Sequence, residues 1–303
     1  MAPQRPGPGP PADKGAGLLD HLAAWAQYPL PTHAISRLVH ALARSRRRWL
    51  KDILIHRFIA HFGVDMSEAR QERASDFPDF NSFFTRALKP GCRPVVSGRG
   101  ELACPVDGAV SQCGRIEADS LFQAKGHDYS LRALLGGSPA LAETFADGEF
   151  ATLYLSPRDY HRIHMPLDGR LRTMLHVPGR LFSVNPRTTR AVPGLFARNE
   201  RVVTVFDTAA GPMALVLVGA INVASIETVW HGEVTPPAGR RLRQWGYADQ
   251  APPLLLERGQ EMGRFNMGST VIVLFGANSI AWDEALTAGA PVRMGQRLGR
   301  QRA

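Results

Sequence analysis

The hydrophobic pattern of the chain changes period once, near residue 100. From about Leu18 to Phe62, apolar positions recur at helical spacing: Leu38, Leu42, Trp49, Ile53 and Ile59, with Val39, Leu50 and Leu54 alongside. From Asp76 to Pro94 a helix or loop leads onward, and its Phe77, Phe80, Phe83 and Phe84 are expected in a core. After Glu101, short apolar runs alternate with Gly, Pro, Asn and Asp. The runs are Ala109-Val110, Phe150 to Leu155, Arg170 to Val177, Arg201 to Phe206, Met213 to Ile221, Ser225 to Val229 and Thr270 to Phe275. This rhythm predicts a mostly antiparallel β domain, interrupted by one helix, Ser130 to Leu135, whose extension through Ala140 to Phe145 stays open. The fold class expected is α+β, in three parts. Residues 1–17, rich in proline and glycine, read as a disordered leader, 18–75 as a helical region and 76–303 as the β-rich domain.

Two echoes lie inside the β domain. Pro105-Val106-Asp107-Gly108 recurs as Pro166-Leu167-Asp168-Gly169, and Gly259-Gln260-Glu261-Met262-Gly263 as Gly295-Gln296-Arg297-Leu298-Gly299. The first is a tight-turn signature and the second ends a strand sharply. Both suit a small β-sandwich hybrid of the carrier type, built by internal duplication.

Charge sharpens the reading of the helices. The chain carries a net +9, and the segment Arg37 to Arg57 supplies six of those charges, from seven basic residues against Asp52. A basic amphipathic helix with Trp49 on its apolar side suits an anionic membrane surface. The plain alternative is a surface helix that packs its apolar face on the domain. Nucleic acid is disfavoured because no recognition motif accompanies the charge. The longest apolar run, Ala214 to Ile221, is far short of the ~20 residues that span a bilayer. The N-terminus has no secretory apolar core. Three cysteines without a Cys-x-x-Cys pair suggest neither a disulfide framework nor a zinc site.

Candidate chemistry lies in two places. Residues 156–166 place His161 and His164 three apart beside Arg158, Asp159 and Tyr160. His-x-x-His alone is a weak metal signal, and a polar surface loop is the plain reading of such a run. In the second place, Gly268-Ser269-Thr270 stands directly before the run Val271 to Phe275. That step is either a strand start or a peptide bond that breaks itself through the serine hydroxyl. A serine nucleophile needs a base and an orienting carboxylate. Ser269, a histidine at 161 or 164, and Asp107 could supply them, although ten histidines offer many such triples.

Taken together, several motifs resemble the phosphatidylserine decarboxylase family in its bacterial, membrane-associated, pyruvoyl-dependent form. They are Pro105 to Gly108, Lys125 to Leu131, Tyr154 to Pro166, Leu195 to Arg201 and Met267 to Thr270. The resemblance runs from about Leu38 to Gly299; Met267 replaces the family's usual Leu, and Val106 a frequent Ala. It implies that Asp107 is a charge-relay aspartate, His164 the base and Ser269 the self-cleaving serine. His161 is then a candidate proton donor in decarboxylation. Serinolysis at Gly268-Ser269 would divide the chain into 1–268 and 269–303, which stay associated. Ser269 would become a covalent pyruvoyl group, the Schiff-base centre for the lipid amine; no metal is called for. The implied substrate is phosphatidylserine in an anionic membrane, with the enzyme peripheral on the cytoplasmic face of the cell membrane; homo-oligomer formation stays open. The rivals are a Ser-His-Asp lipid hydrolase, which the missing Gly-x-Ser-x-Gly elbow disfavours, and a non-catalytic module that binds acidic lipid.

Overall fold

The computed structural model describes residues 16–124, 127–221, 225–235, 241–266 and 270–302. The expected leader falls almost wholly outside that set, as do Lys125, Gly126, Met267, Gly268 and Ser269. The architecture is the expected α+β, with helices first and antiparallel strands after.

The core is a nine-stranded antiparallel sheet. Its main path runs Arg243–Gly246, Gly169–Val177, Arg201–Thr208, Gly211–Val218, Thr270–Phe275, Glu149–Tyr154, Gly108–Arg115, Pro291–Val292, and Leu255–Leu256 pairs with Gly169–Val177. Thr270–Phe275 lies in its middle, and all six of its residues are buried. It pairs with Glu149–Tyr154 on one side and Gly211–Val218 on the other. A strand buried on both faces reads as a continuous apolar run, which is why this one stood out in the sequence. A four-stranded sheet orders Gly232–Thr235, Ser225–Thr228, Glu261–Asn266 and Arg162–His164. A three-stranded sheet joins Glu101–Ala103, Arg297–Gln301 and Ile280–Trp282.

The two sequence echoes are structural equivalents. Ala103 N–H donates to Pro166 O (3.0 Å), and His164 N–H donates to Pro105 O (2.9 Å), a reciprocal pair. Cys104 bonds Gln296 O and Gly295 N–H just as Met165 bonds Gln260 O and Gly259 N–H. Asp107 accepts from Met294 N–H (2.8 Å), and Asp168 from Arg258 N–H (2.6 Å). Each aspartate thus caps the residue before the echoed glycine. The strand pairs follow suit, with Arg297 opposite Ala103 and Glu261 opposite His164. The molecule is built around an internal two-fold repeat.

Two helical expectations change. The helix from Ser130, with its extension to Phe145, is two, Leu131–Leu134 and Pro139–Phe145, each capped by the preceding serine and separated at Gly136-Gly137. The basic amphipathic helix is also divided. Helices α1 (Leu18–Trp25), α2 (Thr32–Ala43) and α3 (Arg48–Phe62) open the described chain, and Arg44 to Arg47 form the break between the last two. Arg44 and Arg48 would be like charges at i, i+4 on a continuous helix, which is unfavourable.

Many apolar residues of these helices face outward. The residues α2 buries are Thr32, Ser36 and Ala43, while Leu38 is 61% exposed and Leu42 also faces out. Trp49 (64%) and Ile53 on α3, and Leu18, Leu22 and Trp25 (73%) on α1, do the same. Packing on the domain therefore does not account for these residues. Polar bonds help attach α1 and α2: His40 to Glu233 (2.7 Å), Arg44 to Glu233 (3.1 Å) and Asp20 to Arg190 (3.1 Å). Ile55 of α3 joins the expected phenylalanines Phe77, Phe80, Phe83 and Phe84 in a second core.

Candidate active site

The run from Ser156 to Pro166 is not a surface loop. His161, Ile163 and Met165 are fully buried and His164 nearly so. Ser156 N–H donates to Asp159 Oδ2 (2.6 Å), closing a turn that feeds the strand Arg162–His164. That strand is held on both flanks, by the Glu261–Asn266 strand and by the Pro105 carbonyl.

The partners of His164 fix its tautomer. Nδ1 lies 2.8 Å from the Gly259 carbonyl, which can only accept, so Nδ1 carries the proton. Nε2 then accepts from the Tyr160 hydroxyl at 3.0 Å. Burial pushes the His164 pKa down, so the ring rests neutral with its lone pair on Nε2.

The carboxylate expected to orient that ring is engaged elsewhere. Arg93 donates to Asp107 through Nε (2.9 Å to Oδ1) and Nη2 (2.5 Å to Oδ2), and Met294 N–H caps Oδ1. Glu68 shares the same guanidinium at 2.7 Å. The two carboxylates hold the Arg93 pKa well above the ordinary arginine value, Asp107 contributing most. Among the described residues no hydrogen bond joins Asp107 to His164, and the Gly259 carbonyl takes the orienting place. The Asp107 charge still reaches the ring through space and favours its protonation.

His161 has a different environment. Its ring stacks on Phe84, with centroids 4.0 Å apart and planes 22° apart. Neither ring nitrogen makes a fully formed hydrogen bond among the described residues, although the Pro157 and Ser156 backbone acts on the ring and favours its protonated form. Burial first, then the Arg86 charge, depress its pKa to about 3.

Phe84 belongs to the short helix Phe80–Phe84, capped by Asp79, which accepts from Ser82 N–H at 2.8 Å. This helix and the residues after it form one wall of the site. Asn81 Nδ2 donates to Asn266 Oδ1 (3.0 Å), Arg162 Nε to Thr85 O (2.9 Å) and Arg86 Nη2 to Arg158 O (2.9 Å). Asn266 ends the smaller sheet and also donates to Ser225 Oγ. Thr270 begins the strand at the centre of the large sheet, and its buried Oγ1 has no partner among the described residues. Gly268 and Ser269 lie in the link between these anchors and outside the described residues. Arg86, Arg93 and Asn266 were not singled out for chemistry in the sequence. Arg93 and Asp107 are 14 residues apart with no periodic pattern to connect them.

Comparison with known proteins identifies the family. The phosphatidylserine decarboxylase family model matches residues 80–300, and a second model, described as PSD, matches residues 22–63. The chain belongs to the phosphatidylserine decarboxylase family. It is 62% identical to the phosphatidylserine decarboxylase proenzyme of Alkalilimnicola ehrlichii over 84% of this chain and 88% of that one. It is 58% identical to that of Pseudomonas fluorescens, over 90% and 95%. It is 56% identical to that of Delftia acidovorans, over 94% of this chain and 100% of the relative. The decarboxylase match begins at Phe80, the first residue of the helix that walls the site. The PSD match covers the second half of α1 and all of α2 and α3, so those helices are part of what this chain shares with known proteins.

Proposed function

We propose that this chain decarboxylates phosphatidylserine to phosphatidylethanolamine and carbon dioxide, using a pyruvoyl group made from its own Ser269. The observation that carries the reading is membership of a family whose relatives are named proenzymes, in a chain with Gly268-Ser269 between two anchored strands. A carbonyl-bearing group at position 269 suits the next residue in the chain: the buried Thr270 Oγ1 lacks a partner among the described residues, and buried polar groups are seldom left so. When present, the pyruvoyl carbonyl supplies an electron sink for the pair released as carbon dioxide leaves.

In self-cleavage, His164 Nε2 takes the Ser269 hydroxyl proton once Tyr160 yields its hydrogen bond. The serine oxygen bonds to the Gly268 carbonyl carbon, the Gly268–Ser269 C–N bond breaks, and the proton passes to the freed nitrogen. Loss of the Ser269 α-proton then expels the Gly268 carboxylate. Water replaces the nitrogen, which leaves as ammonia. Asp107 is a positioning residue here: it holds Arg93 and the Met294 turn, and its charge makes His164 more basic. His161 rests neutral, so its part as proton donor requires the substrate to bring negative charge beside it.

The reading extends to a peripheral site on the cytoplasmic face of the cell membrane. Among the described residues no helix is long and apolar enough to cross a membrane. Leu18, Leu22, Trp25, Leu38, Leu42, Trp49 and Ile53 point outward beside Arg46, Arg47 and Arg48, a combination suited to an anionic bilayer. Replacing those three arginines by Gln should weaken binding to acidic vesicles at low salt.

Mass spectrometry of active enzyme tests the chemistry. The expected result is a fragment 269–303 blocked at its N-terminus, absent in Ser269→Ala, which should also be inactive. A single intact chain with full activity would overturn the reading.

A further inference from the structure

Arg86 is a buried cation, 4% exposed, that forms no direct ion pair among the described residues. Nη2 donates to two carbonyls, Arg158 O (2.9 Å) and Asp159 O (3.4 Å), and its Cζ lies 5.8 Å from the Phe83 ring centroid. Nε and Nη1 are buried without partners. Three carboxylates act on it through space, Asp65, Asp107 and Asp159. Each is held by another group: Asp65 by Ser67 N–H (2.8 Å), Asp107 by Arg93, and Asp159 by Ser156 N–H (2.6 Å). Burial lowers the Arg86 pKa, as expected of a buried charge.

A guanidinium held this way costs several kcal/mol unless an anion answers it. Its place says which anion is within reach. Arg86 follows Phe84, which stacks on His161, and it bonds the backbone two and three residues before His161. Its charge is felt at the His161 ring. It is therefore a buried cation, without a direct ion pair among the described residues, beside the candidate proton donor.

We infer that Arg86 receives the phosphodiester of the serine phospholipid headgroup, an inference that rests on the decarboxylase reading above. The headgroup has two anions. A desolvated guanidinium on the carboxylate would stabilise the ground state and hinder loss of carbon dioxide. The phosphodiester keeps its charge from substrate to product, so pairing with it binds without opposing the reaction. Planar N–H donors also match phosphate oxygens.

Product binding separates the two anions, because phosphatidylethanolamine keeps the phosphodiester and lacks the carboxylate. In self-cleaved Arg86→Gln, the calorimetric Kd for dihexanoyl-phosphatidylethanolamine should rise ~10- to 100-fold, the range for a lost charged hydrogen bond. The KM for dihexanoyl-phosphatidylserine should rise by the same factor, with kcat within about 3-fold of wild type. Arg86→Lys, which keeps the charge and loses the fork, should fall between. It carries the same comparison if the Gln variant does not fold. A raised KM with an unchanged product Kd assigns Arg86 to the carboxylate and overturns the inference. Both values unchanged make it a structural cation and overturn it too. So does a wild-type site that holds inorganic phosphate as tightly as the short-chain lipid. Wild type inactive on phosphatidylserine overturns the functional reading itself, whereas an active wild type with an indifferent variant overturns the inference alone.

Discussion

The two halves of the internal repeat share a backbone plan and differ in what they hold. In one half, Gly100 and Ala103 occupy the places that His161 and His164 fill in the other: Gln301 N–H bonds Gly100 O (2.7 Å) as Phe265 N–H bonds His161 O (3.1 Å). Both turn aspartates cap the residue before a glycine. Asp107 is buried and also grips Arg93, whereas Asp168 is exposed, with only the Arg258 backbone bond among its described hydrogen bonds. Fold alone is served by the sparser version of each feature. The histidines, the buried carboxylate and its arginine are therefore features that the repeated backbone plan does not itself require. One half carries the carboxylate and the other the imidazoles, on either side of the crossing at Pro105 and Pro166, with no hydrogen bond between Asp107 and either histidine among the described residues.

The largest break in this comparison should come from Asp107→Ala. It leaves Arg93 buried with Glu68 as its one remaining carboxylate partner. Breaking such a pair costs about 3 kcal/mol, and urea unfolding of the uncleaved Ser269→Ala chain would measure it. The same substitution removes charge that favours His164 protonation, so it should also slow self-cleavage, read as the cleaved fraction over time. Next come the echoed glycines. Gly259 and Gly295 have φ of +81° and +86°, so Ala is strained at both. A Cβ at Gly295 would meet the Pro94 backbone oxygen at 2.5 Å, while at Gly259 it would meet a Val95 side-chain methyl at 2.7 Å. Backbone yields less than a side chain. Gly295→Ala should cost about 3 kcal/mol and Gly259→Ala about 1–2 kcal/mol, by the same unfolding measurement. Equal losses would mean that the halves bear equal strain.

This asymmetry was only partly legible in the sequence. The buried strand Thr270–Phe275, the phenylalanine cluster and both echoes were plain, because continuous apolar runs and turn chemistry are local signals. The strand Arg162–His164 was not, since its polar residues are buried by partners distant in sequence. Nor was the Arg93–Asp107 pair, or the Gly259 carbonyl that holds His164, because a backbone acceptor has no sequence signature. On α2 and α3 the helical spacing was correct, but which residues pack depends on Glu233 and the second core: Leu54 and Ile59 face that core while Leu38, Leu42, Trp49 and Ile53 point outward.

The histidine-bearing half should also carry a pH signature that its counterpart lacks. The folded pKa of His161, about 3, lies below the unfolded value near 6.5. Between those values the unfolded state binds the extra proton. Its contribution to stability is intact above about pH 6.5 and is lost as pH falls, at about 1.4 kcal/mol per pH unit. His164, depressed by the same cause, acts in the same direction. In His161→Phe, which keeps a ring against Phe84, the fall between about pH 6 and pH 4 should be shallower by up to that slope. Urea titrations at several pH values measure it. An unchanged slope would mean that the ring is charged or wet in the folded chain.

The smallest effect sharpens the comparison most. Asp168→Ala removes one exposed cap on Arg258 N–H and no ion pair among the described residues. It should cost about 1 kcal/mol, the ordinary value of one hydrogen bond, and leave self-cleavage at the wild-type rate. The carboxylate is the turn's counterpart of Asp107, so any deficit shared by the two variants is the cost of the turn. Subtracting it from the Asp107→Ala loss isolates what the Arg93 pair contributes to stability. The cleavage rate divides in the same way. If Asp168→Ala slows cleavage as much as Asp107→Ala does, the turn geometry matters and the Asp107 charge does not. If only Asp107→Ala slows it, the charge that the repeat buries in one half is what acts on His164.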